Sequence, residues 1–435
     1  MKNKNKSKKK VYIGMSADII HEGHINILNI GSKLGKVTVG LLTDTAIASY
    51  KKIPILNYKK RESIVKHLKM VENVTPQHTL DYTENLQKFK PDFVVHGDDW
   101  KNGVQKNIRN KVIKCLKKWG GKLIEPTYTK NISSSSIKEM IKEVNYGSNR
   151  VSILKRLLVS KDIVRVLECH NPIGGMVVEN TKIIKGKKTL EFDGMWSSSL
   201  TDSFSRGKPD NQSVDYSTRI SGLNEIMEVT SKPIIFDADN GGRVEHLKYL
   251  IHSLSRSGVS AAIIEDKIGL KKNSLFKDQS NTKQDSIKNF CKKIRVACKS
   301  RTNKDFLVIA RVESFICNKG TKDALKRAIA YSKAGADAIL IHSKIDTPSE
   351  IFEFSKKFKK SNFFKPLVSV PSSYSKVHEK DLIKNNFKVV IYANHLLRSV
   401  YPAMIDTAKT ILKHQRAKET EKKITPIKKI ISIIN

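Results

Sequence analysis

Eight short apolar segments, near residues 166–168, 192–196, 234–237, 261–265, 307–312, 338–342, 367–370 and 389–393, alternate mostly with helical patterns. Strands separated by helices pair in parallel, and eight such alternations close into a (β/α)8 barrel. A barrel of this kind takes roughly 250 residues, so a chain of 435 has room for a second unit ahead of it. Residues 143–150, Glu-Val-Asn-Tyr-Gly-Ser-Asn-Arg, break the helical pattern with Gly, Ser and Asn and mark the linker. The expected division is 1–142, the linker 143–150, and a barrel over 151–435. The helices between strands carry ordinary signals. Thr347-Pro348-Ser349-Glu350, for example, reads as a capping box with proline at the first helical position.

The strand ends carry the chemistry. Trp196-Ser197-Ser198-Ser199 follows the second segment, Asp237-Ala238-Asp239 the third, Glu265-Asp266-Lys267 the fourth, Arg311 and Glu313 the fifth, and His342-Ser343 the sixth. All fall at carboxyl ends, where barrel enzymes place catalytic groups. Asp237, Asp239 and Glu265 suit one Mg2+, bound directly or through its waters. Arg311 and His342, opposite, suit an anion attached to that metal. From Glu265 to Ser274 one short loop holds two carboxylates and the ammonium groups of Lys267, Lys271 and Lys272, followed by an amide and a hydroxyl. It reads as an anion-handling loop beside a metal. Each group alone is explained by an ion pair or a solvated turn, but their coincidence at five successive strand ends is not.

Ahead of the linker, a buried strand over 11–15 is followed by His21-Glu22-Gly23-His24 opening a helix with Ile27, Ile30 and Leu34 at helical spacing. Two imidazoles and free N–H groups at a positive helix end form a phosphate site, and Gly23 allows close approach. The alternating strand with Val37, Val39 and Leu41 completes a βαβ unit and implies a parallel sheet. A further strand ends in His96-Gly97-Asp98-Asp99-Trp100, and Ile132-Ser133-Ser134-Ser135-Ser136-Ile137 places a hydroxyl run at a helix start.

The formal charge of +39 calls for anionic partners. Its lysines are spread along the whole chain, with no aromatic and basic interleaving and no zinc or helix-turn-helix signature, so small anionic substrates rank ahead of nucleic acid. Five cysteines without a Cys-x-x-Cys pair point to neither a disulfide framework nor a zinc ribbon, and a cytoplasmic location is expected. No apolar run is long enough to span a membrane.

The first unit, with His-x-Gly-His, Gly-Asp-Asp-Trp and Ile-Ser-Ser-Ser in that order, resembles the glycerol-3-phosphate cytidylyltransferase family. The resemblance implies a Rossmann-like sheet and transfer of CMP from CTP, with Mg2+, to a phosphate-like oxygen. It implies that His21 and His24 stabilise the α-phosphoryl transition state, that Lys51 or Lys52 and Arg61 neutralise phosphates, and that Ser133 and Ser134 hold the triphosphate. Asp98 and Trp100 would shape the nucleotide pocket. Tyr128 stands where the family carries an arginine, with Lys130 the nearest cation, so the guanidinium fork is missing.

The second unit resembles phosphoenolpyruvate mutase, of the isocitrate lyase and phosphoenolpyruvate mutase superfamily, from Lys155-Arg156-Leu157-Leu158 to Lys423-Ile424-Thr425-Pro426-Ile427-Lys428. Glu-Asp-Lys-x-x-x-Lys-x-Asn-Ser is the mutase form of the gating loop, and the Lys-Lys-Cys-Gly-His sequence of carbon–carbon lyases is absent. The resemblance implies interconversion of phosphoenolpyruvate and phosphonopyruvate. Asp237 would coordinate Mg2+, with Asp239 and Glu265 acting through its waters. Trp196, Ser198, Ser199 and Leu200 would shape the pocket, and Asp210 would be the relay or steering carboxylate for the phosphoryl group. Arg311, His342, Lys271, Asn273 and Ser274 would hold phosphoryl and carboxylate oxygens. Departures are Ser197-Ser198-Ser199 for Gly-Ser-Gly, Asp239-Asn240-Gly241-Gly242 for Asp-Thr-Gly-Tyr-Gly, and Leu270 for proline. The chain is thus expected to be a bifunctional phosphonate-biosynthesis enzyme that activates a two-carbon phosphonate such as 2-aminoethylphosphonate. Its rivals are a phosphonopyruvate hydrolase or carbon–carbon lyase on the same barrel, and a basic nucleic-acid-binding protein. By analogy the barrel forms a dimer or tetramer by exchanging carboxy-terminal helices, with residues 403–420 as the candidate.

Overall fold

The computed structural model describes residues 9–50, 52–101, 106–127, 147–186, 188–269, 271–276, 279 and 282–434. Lys51, Tyr128, Lys130, Ser133, Ser134 and Leu270 lie outside them. The first unit is a five-stranded parallel sheet of Lys10–Met15, Lys36–Leu42, Asn73–Gln77, Phe93–Val95 and Lys122–Ile124, ordered third, second, first, fourth, fifth. Both faces of its central strands are covered: Val11, Ile13, Val37, Val39 and Leu41 pack into one buried cluster, and Tyr12 and Val94 into another. The order reverses between the first and fourth strands, and in open parallel sheets that switch point is where a crevice opens for a ligand.

The second unit is a closed barrel of Val164–Glu168, Gly194–Ser197, Ile234–Asp237, Ala261–Glu265, Leu307–Val312, Ala338–Ile341, Leu367–Ser369 and Phe387–Tyr392. All eight expected segments are strands of it. Side chains alternate between two layers with the period of two that a strand imposes. Ile235, Ile263, Ile309 and Leu340 join the cluster that fills the barrel, together with Trp196 and Val368. Phe236, Ile264, Val308, Ala310 and Ile339 join the outer cluster, packed with helix residues such as Leu247, Leu254, Phe290 and Phe354. Extending the inner series by one step past each apolar residue reaches Asp237, Glu265, Arg311 and His342.

Three local features differ from the sequence pattern. The helix Gly147–Ser160 begins inside the expected linker, because Arg150 already belongs to the barrel. Its guanidinium, 2% exposed, donates to Met227 O (3.1 Å) and Thr230 O (2.8 Å). The helix after the sixth strand starts at Ser349, with Pro348 before it rather than inside it. Glu350 accepts from Ser343 Oγ (2.7 Å) instead of completing a capping box. A hairpin of Lys182–Lys185 and Lys188–Glu191, between the first two barrel strands, was not expected; its strands are short and the first is exposed, so no hydrophobic alternation announces it.

No helix among the described residues is long and apolar enough to cross a membrane. The helix His395–His414 has no buried residue and presents Tyr401, Met404 and Leu412 outward.

Ion pairs join the units, among them Lys52 with Glu179: Lys52 Nζ lies 2.6 Å from Oε1 of Glu179, whose side chain is 9% exposed. Burial pushes the Glu179 carboxyl up, but Lys52, Thr230 and Lys232 outweigh it and hold the group at about 2. A depressed carboxyl pKa contributes stability that is present above the unfolded value and lost as pH falls through the folded one. Lys52→Ala removes the largest opposing charge, so the acid-unfolding midpoint, followed by circular dichroism between about pH 5 and 2, is expected to move to higher pH. An unchanged midpoint would mean that the pair contributes nothing.

Candidate active sites

The barrel's inward series ends in a cavity of about 60 Å3 lined by Trp196, Ser198, Ser199, Leu200, Asp210, Asp237, Glu265, Lys271, Asn273, Ser274, Arg311 and His342, among others. The structure therefore brings together every expected barrel residue except Asp239, which stands just behind the wall. Asp239 adopts φ 48, a left-handed conformation uncommon for a non-glycine residue. Strain of this kind persists only where surroundings over-determine it, and here Arg219 Nη1 (3.5 Å) and Lys271 Nζ both engage the side chain.

The loop after the fourth strand is tied down by its own polar groups. Asp210 receives Lys271 Nζ on one oxygen (2.8 Å) and Asn273 Nδ2 on the other (2.7 Å). Ser274 Oγ donates to Glu313 Oε2 (2.9 Å) and accepts from Lys267 Nζ (2.8 Å) and Arg311 Nη2 (2.9 Å). Ser274 thus anchors the loop to the fifth strand, while Lys271 and Asn273 lock it over Asp210. Ser199 Oγ donates to Asp237 Oδ2 (2.9 Å), so the hydroxyl that replaces the family's glycine hydrogen bonds within the site.

Opposite charges set the protonation states. Burial pushes the Asp237 carboxyl up, but Lys271, Arg311 and Arg219 outweigh it and hold it at about 2. Burial dominates at its neighbour Asp239 and raises it, with the Asp237 charge adding to the rise against Lys271 and Arg219. Burial likewise carries Glu265 to about 7, against Lys267 and Arg311. Burial and the Arg311 guanidinium push His342 down, favouring a neutral ring. Arg311 Nη2 lies 3.2 Å from its Nδ1, which in the neutral ring accepts that bond and leaves the proton on Nε2.

Among the described residues, no group of three or more His, Cys, Asp or Glu side chains is arranged to hold a metal ion. Asp239 and Glu265 are drawn toward Arg219, Lys271, Lys267 and Arg311. The donors still fit a hard cation that keeps most of its waters. Asp237 offers an ionised carboxylate on the cavity wall, with the carboxyls of Asp239 and Glu265 near it.

Arg219 was not anticipated. It sits 2% exposed on the helix Tyr216–Glu228, donates to Asp202 Oδ2 (2.9 Å) and Asp237 O (2.6 Å), and stacks 4.2 Å over the Phe236 ring. It links the second and third strand ends from behind. Val370, Ser372 and Asn394 also line the cavity; they follow the last two strands, so the strand-end argument would have reached them had it been carried through.

In the first unit a cavity of about 270 Å3 opens at the sheet's switch point, lined by Gly14, Met15, Ser16, His21, Gly23, His24, Leu42, Tyr82, His96, Asp99 and Trp100 among others. His21 precedes the helix Glu22–Leu34 in extended conformation and its side chain makes no capping bond. The rings of His21 and His24 lie 4.0 Å apart, and burial lowers the His21 pKa. His96 stacks on Trp100 at 3.9 Å and 9°. Gly14 is required because a Cβ there would enter the Tyr82 ring.

Three expected nucleotide-binding residues do not line this cavity. Arg61 is fully buried and donates to Leu56 O (3.0 Å), Ser16 O (2.5 Å), Leu42 O (2.8 Å) and Asp44 Oδ1 (2.7 Å), which occupies its guanidinium with the protein itself. Lys52 reaches the barrel instead. Asp98 faces Lys101 (4.0 Å), and Asp99, its neighbour, faces the cavity. His96 and Tyr82 were missed, although His96 directly follows the fourth strand and precedes the Gly-Asp-Asp-Trp motif.

Comparison with known proteins agrees with both halves. The family model for phosphoenolpyruvate phosphomutase matches residues 154–412, and that for cytidylyltransferase-like proteins matches residues 12–140. The phosphoenolpyruvate phosphomutase of Tetrahymena pyriformis is 33% identical over 66% of this chain and 92% of its own length. The phosphonopyruvate hydrolase of Variovorax sp. is also 33% identical, over 64% of this chain and 93% of its own. Among solved structures, the phosphoenolpyruvate phosphomutase from Streptomyces platensis subsp. rosaceus superposes with a TM-score of 0.60 at 32% identity, covering 64% of this chain and 93% of that one. The chain therefore belongs to the phosphoenolpyruvate phosphomutase family through its barrel, to whose amino-terminal side a cytidylyltransferase-like domain is fused.

Proposed function

We propose that the barrel, over about residues 151–435, interconverts phosphoenolpyruvate and phosphonopyruvate, and that the domain over about 1–142 transfers CMP from CTP to a phosphonate. The observation that carries the first half is the Asp210 fork, in which Lys271 and Asn273 hold the loop across a small cavity walled by Asp237, Arg311 and His342. In this isomerisation the phosphorus–oxygen bond breaks and a phosphorus–carbon bond forms at the methylene carbon of the same molecule. No proton is gained and no group leaves, so the protein has only to position, neutralise charge and exclude water.

Arg311 and the Nε2 hydrogen of His342 hold oxygens of the substrate. Trp196 and Leu200 wall the planar pyruvyl part, and Ser198 and Ser199 receive its carboxylate. Lys271 and Asn273 release Asp210 in part and follow the phosphoryl group. Asp237 would hold Mg2+, with Asp239 and Glu265 reached through its waters; when bound, the metal supplies Lewis acidity and neutralises developing charge. The second reading is hydrolysis of phosphonopyruvate on the same barrel, favoured by the equal identity to the Variovorax hydrolase. The closed loop and Asn273 support the mutase.

For the first unit, His21 and His24 at the positive end of a helix meet the α-phosphoryl group, and the helix dipole favours its charge. Asp99, Trp100 and His96 line the nucleotide side. Ser133, Ser134 and Lys51 belong to this reading through the family motifs. A two-carbon phosphonate such as 2-aminoethylphosphonate is the acceptor, its oxygen attacking the α-phosphorus and releasing pyrophosphate. A cytoplasmic location, and a dimer or tetramer joined through the exposed helix His395–His414, complete the proposal.

Two outcomes are expected. Asn273→Ala lowers mutase turnover by about 100-fold, the scale of a lost transition-state contact, and leaves pyrophosphate release unchanged; equal loss of both would mean that the loop is not local chemistry. Pyrophosphate assayed with CTP, ATP and a panel of phosphonates appears with CTP and a two-carbon phosphonate; release with ATP alone would overturn the cytidine assignment.

A further inference from the structure

The segment over residues 52–57 follows shortly after Tyr50, which lines the nucleotide cavity, and is held from the barrel side. Lys52 pairs with Glu179 of the helix Pro172–Asn180 (2.6 Å). Ile53 packs against the cluster that includes the barrel interior and Leu154 and Leu157. The carbonyl of Ile55 accepts from Arg156 Nη1 (2.9 Å), on the helix Gly147–Ser160.

Arg156 does more than pin the segment. Its Nη2 lies 3.3 Å from Oδ2 of Asp44, while Oδ1 of the same carboxylate accepts from Arg61 Nη2 (2.7 Å). Arg61 Nη1 in turn binds the carbonyls of Ser16 and Leu42, and both residues line the nucleotide cavity. A guanidinium of the barrel unit, a carboxylate and a second guanidinium thus form one chain of charge-assisted bonds that ends on the cavity wall. Charge-assisted bonds are the stronger kind, and each link fixes the orientation of the next. Asp44 and Arg156 are 19% and 17% exposed at their side chains, so water screens the link only partly.

We propose that Arg156 is a positioning residue for nucleotidyl transfer supplied by the mutase unit: it orients Asp44, Asp44 orients Arg61, and Arg61 sets the two cavity-wall carbonyls. The fusion then has a physical consequence, because the nucleotide site is completed by the neighbouring domain. This rests on the nucleotidyltransferase reading above.

The test uses the full chain with CTP and 2-aminoethylphosphonate, scored for pyrophosphate, beside thermal unfolding. Arg156→Ala is expected to raise KM for CTP about five- to tenfold, the scale of coupling within one side-chain network, with kcat changed less and the unfolding midpoint retained. Arg156→Lys keeps the charge but has no fork for both Ile55 O and Asp44, so it recovers part of the loss. Asp44→Asn gives a similar rise, and the double variant is no worse than the more impaired single. An Arg156→Ala enzyme with wild-type KM, or single effects that simply multiply, overturns the inference while leaving the reading intact. A wild-type chain that binds no CTP in calorimetry removes the reading and the inference together. If Arg156→Ala does not fold, Arg156→Lys decides alone: a wild-type KM there overturns the proposal.

Discussion

A parallel strand buried on both faces has to send alternate side chains to two different layers, and in a closed parallel barrel the inner layer of every strand ends at the same carboxyl-terminal mouth. Ile235, Ile263, Ile309 and Leu340 fill the interior, and the next residue of the same parity on each strand is Asp237, Glu265, Arg311 or His342. Apolar packing stops where the strands stop, so the polar groups converge at one end without a separate framework. A shift of one residue in any strand would turn its functional group into the helix layer. Both the stability of the barrel and the geometry of its site depend on that parity.

Convergence brings a cost in charge. Asp237, Asp239, Glu265 and Glu313 are all nearly inaccessible to water, and unpaired they would not remain ionised. Arg219, Arg311, Lys267 and Lys271 share them out, and two of these cations come from the loop after the fourth strand. The loop is therefore a source of counter-charge as well as a cover. Its hold on Asp210 and Glu313 joins the two roles, since the bonds that close it also place Lys271 among the carboxylates.

The barrel was legible because buried parallel strands are runs of Val, Ile, Leu and Ala, and because strand ends concentrate function. The surface hairpin between the first and second strands carries no such pattern and went unread. In the site, residues that sit at strand ends were found, whereas Arg219 was not: it acts from a helix, and nothing local distinguishes an arginine that stacks on Phe236 from a solvated one. Arg61 and Lys52 show the converse. Composition tells that a cation is present but not whether its partner is a phosphate, a backbone carbonyl or, as for Lys52, a glutamate about 130 residues away along the chain, a separation that only the folded chain closes. Asp98 and Asp99 differ by one step of backbone, which decides which carboxylate faces the cavity.

For the proposed barrel reaction, isomerisation and hydrolysis part in whether water reaches the phosphoryl group while it is in transit. Phosphorus NMR of the purified full-length chain with phosphonopyruvate and Mg2+ observes that difference directly. The closed Asp210, Lys271 and Asn273 arrangement predicts loss of the phosphonate signal with growth of phosphoenolpyruvate. Inorganic phosphate accompanied by pyruvate, with no phosphoenolpyruvate formed, would contradict the account.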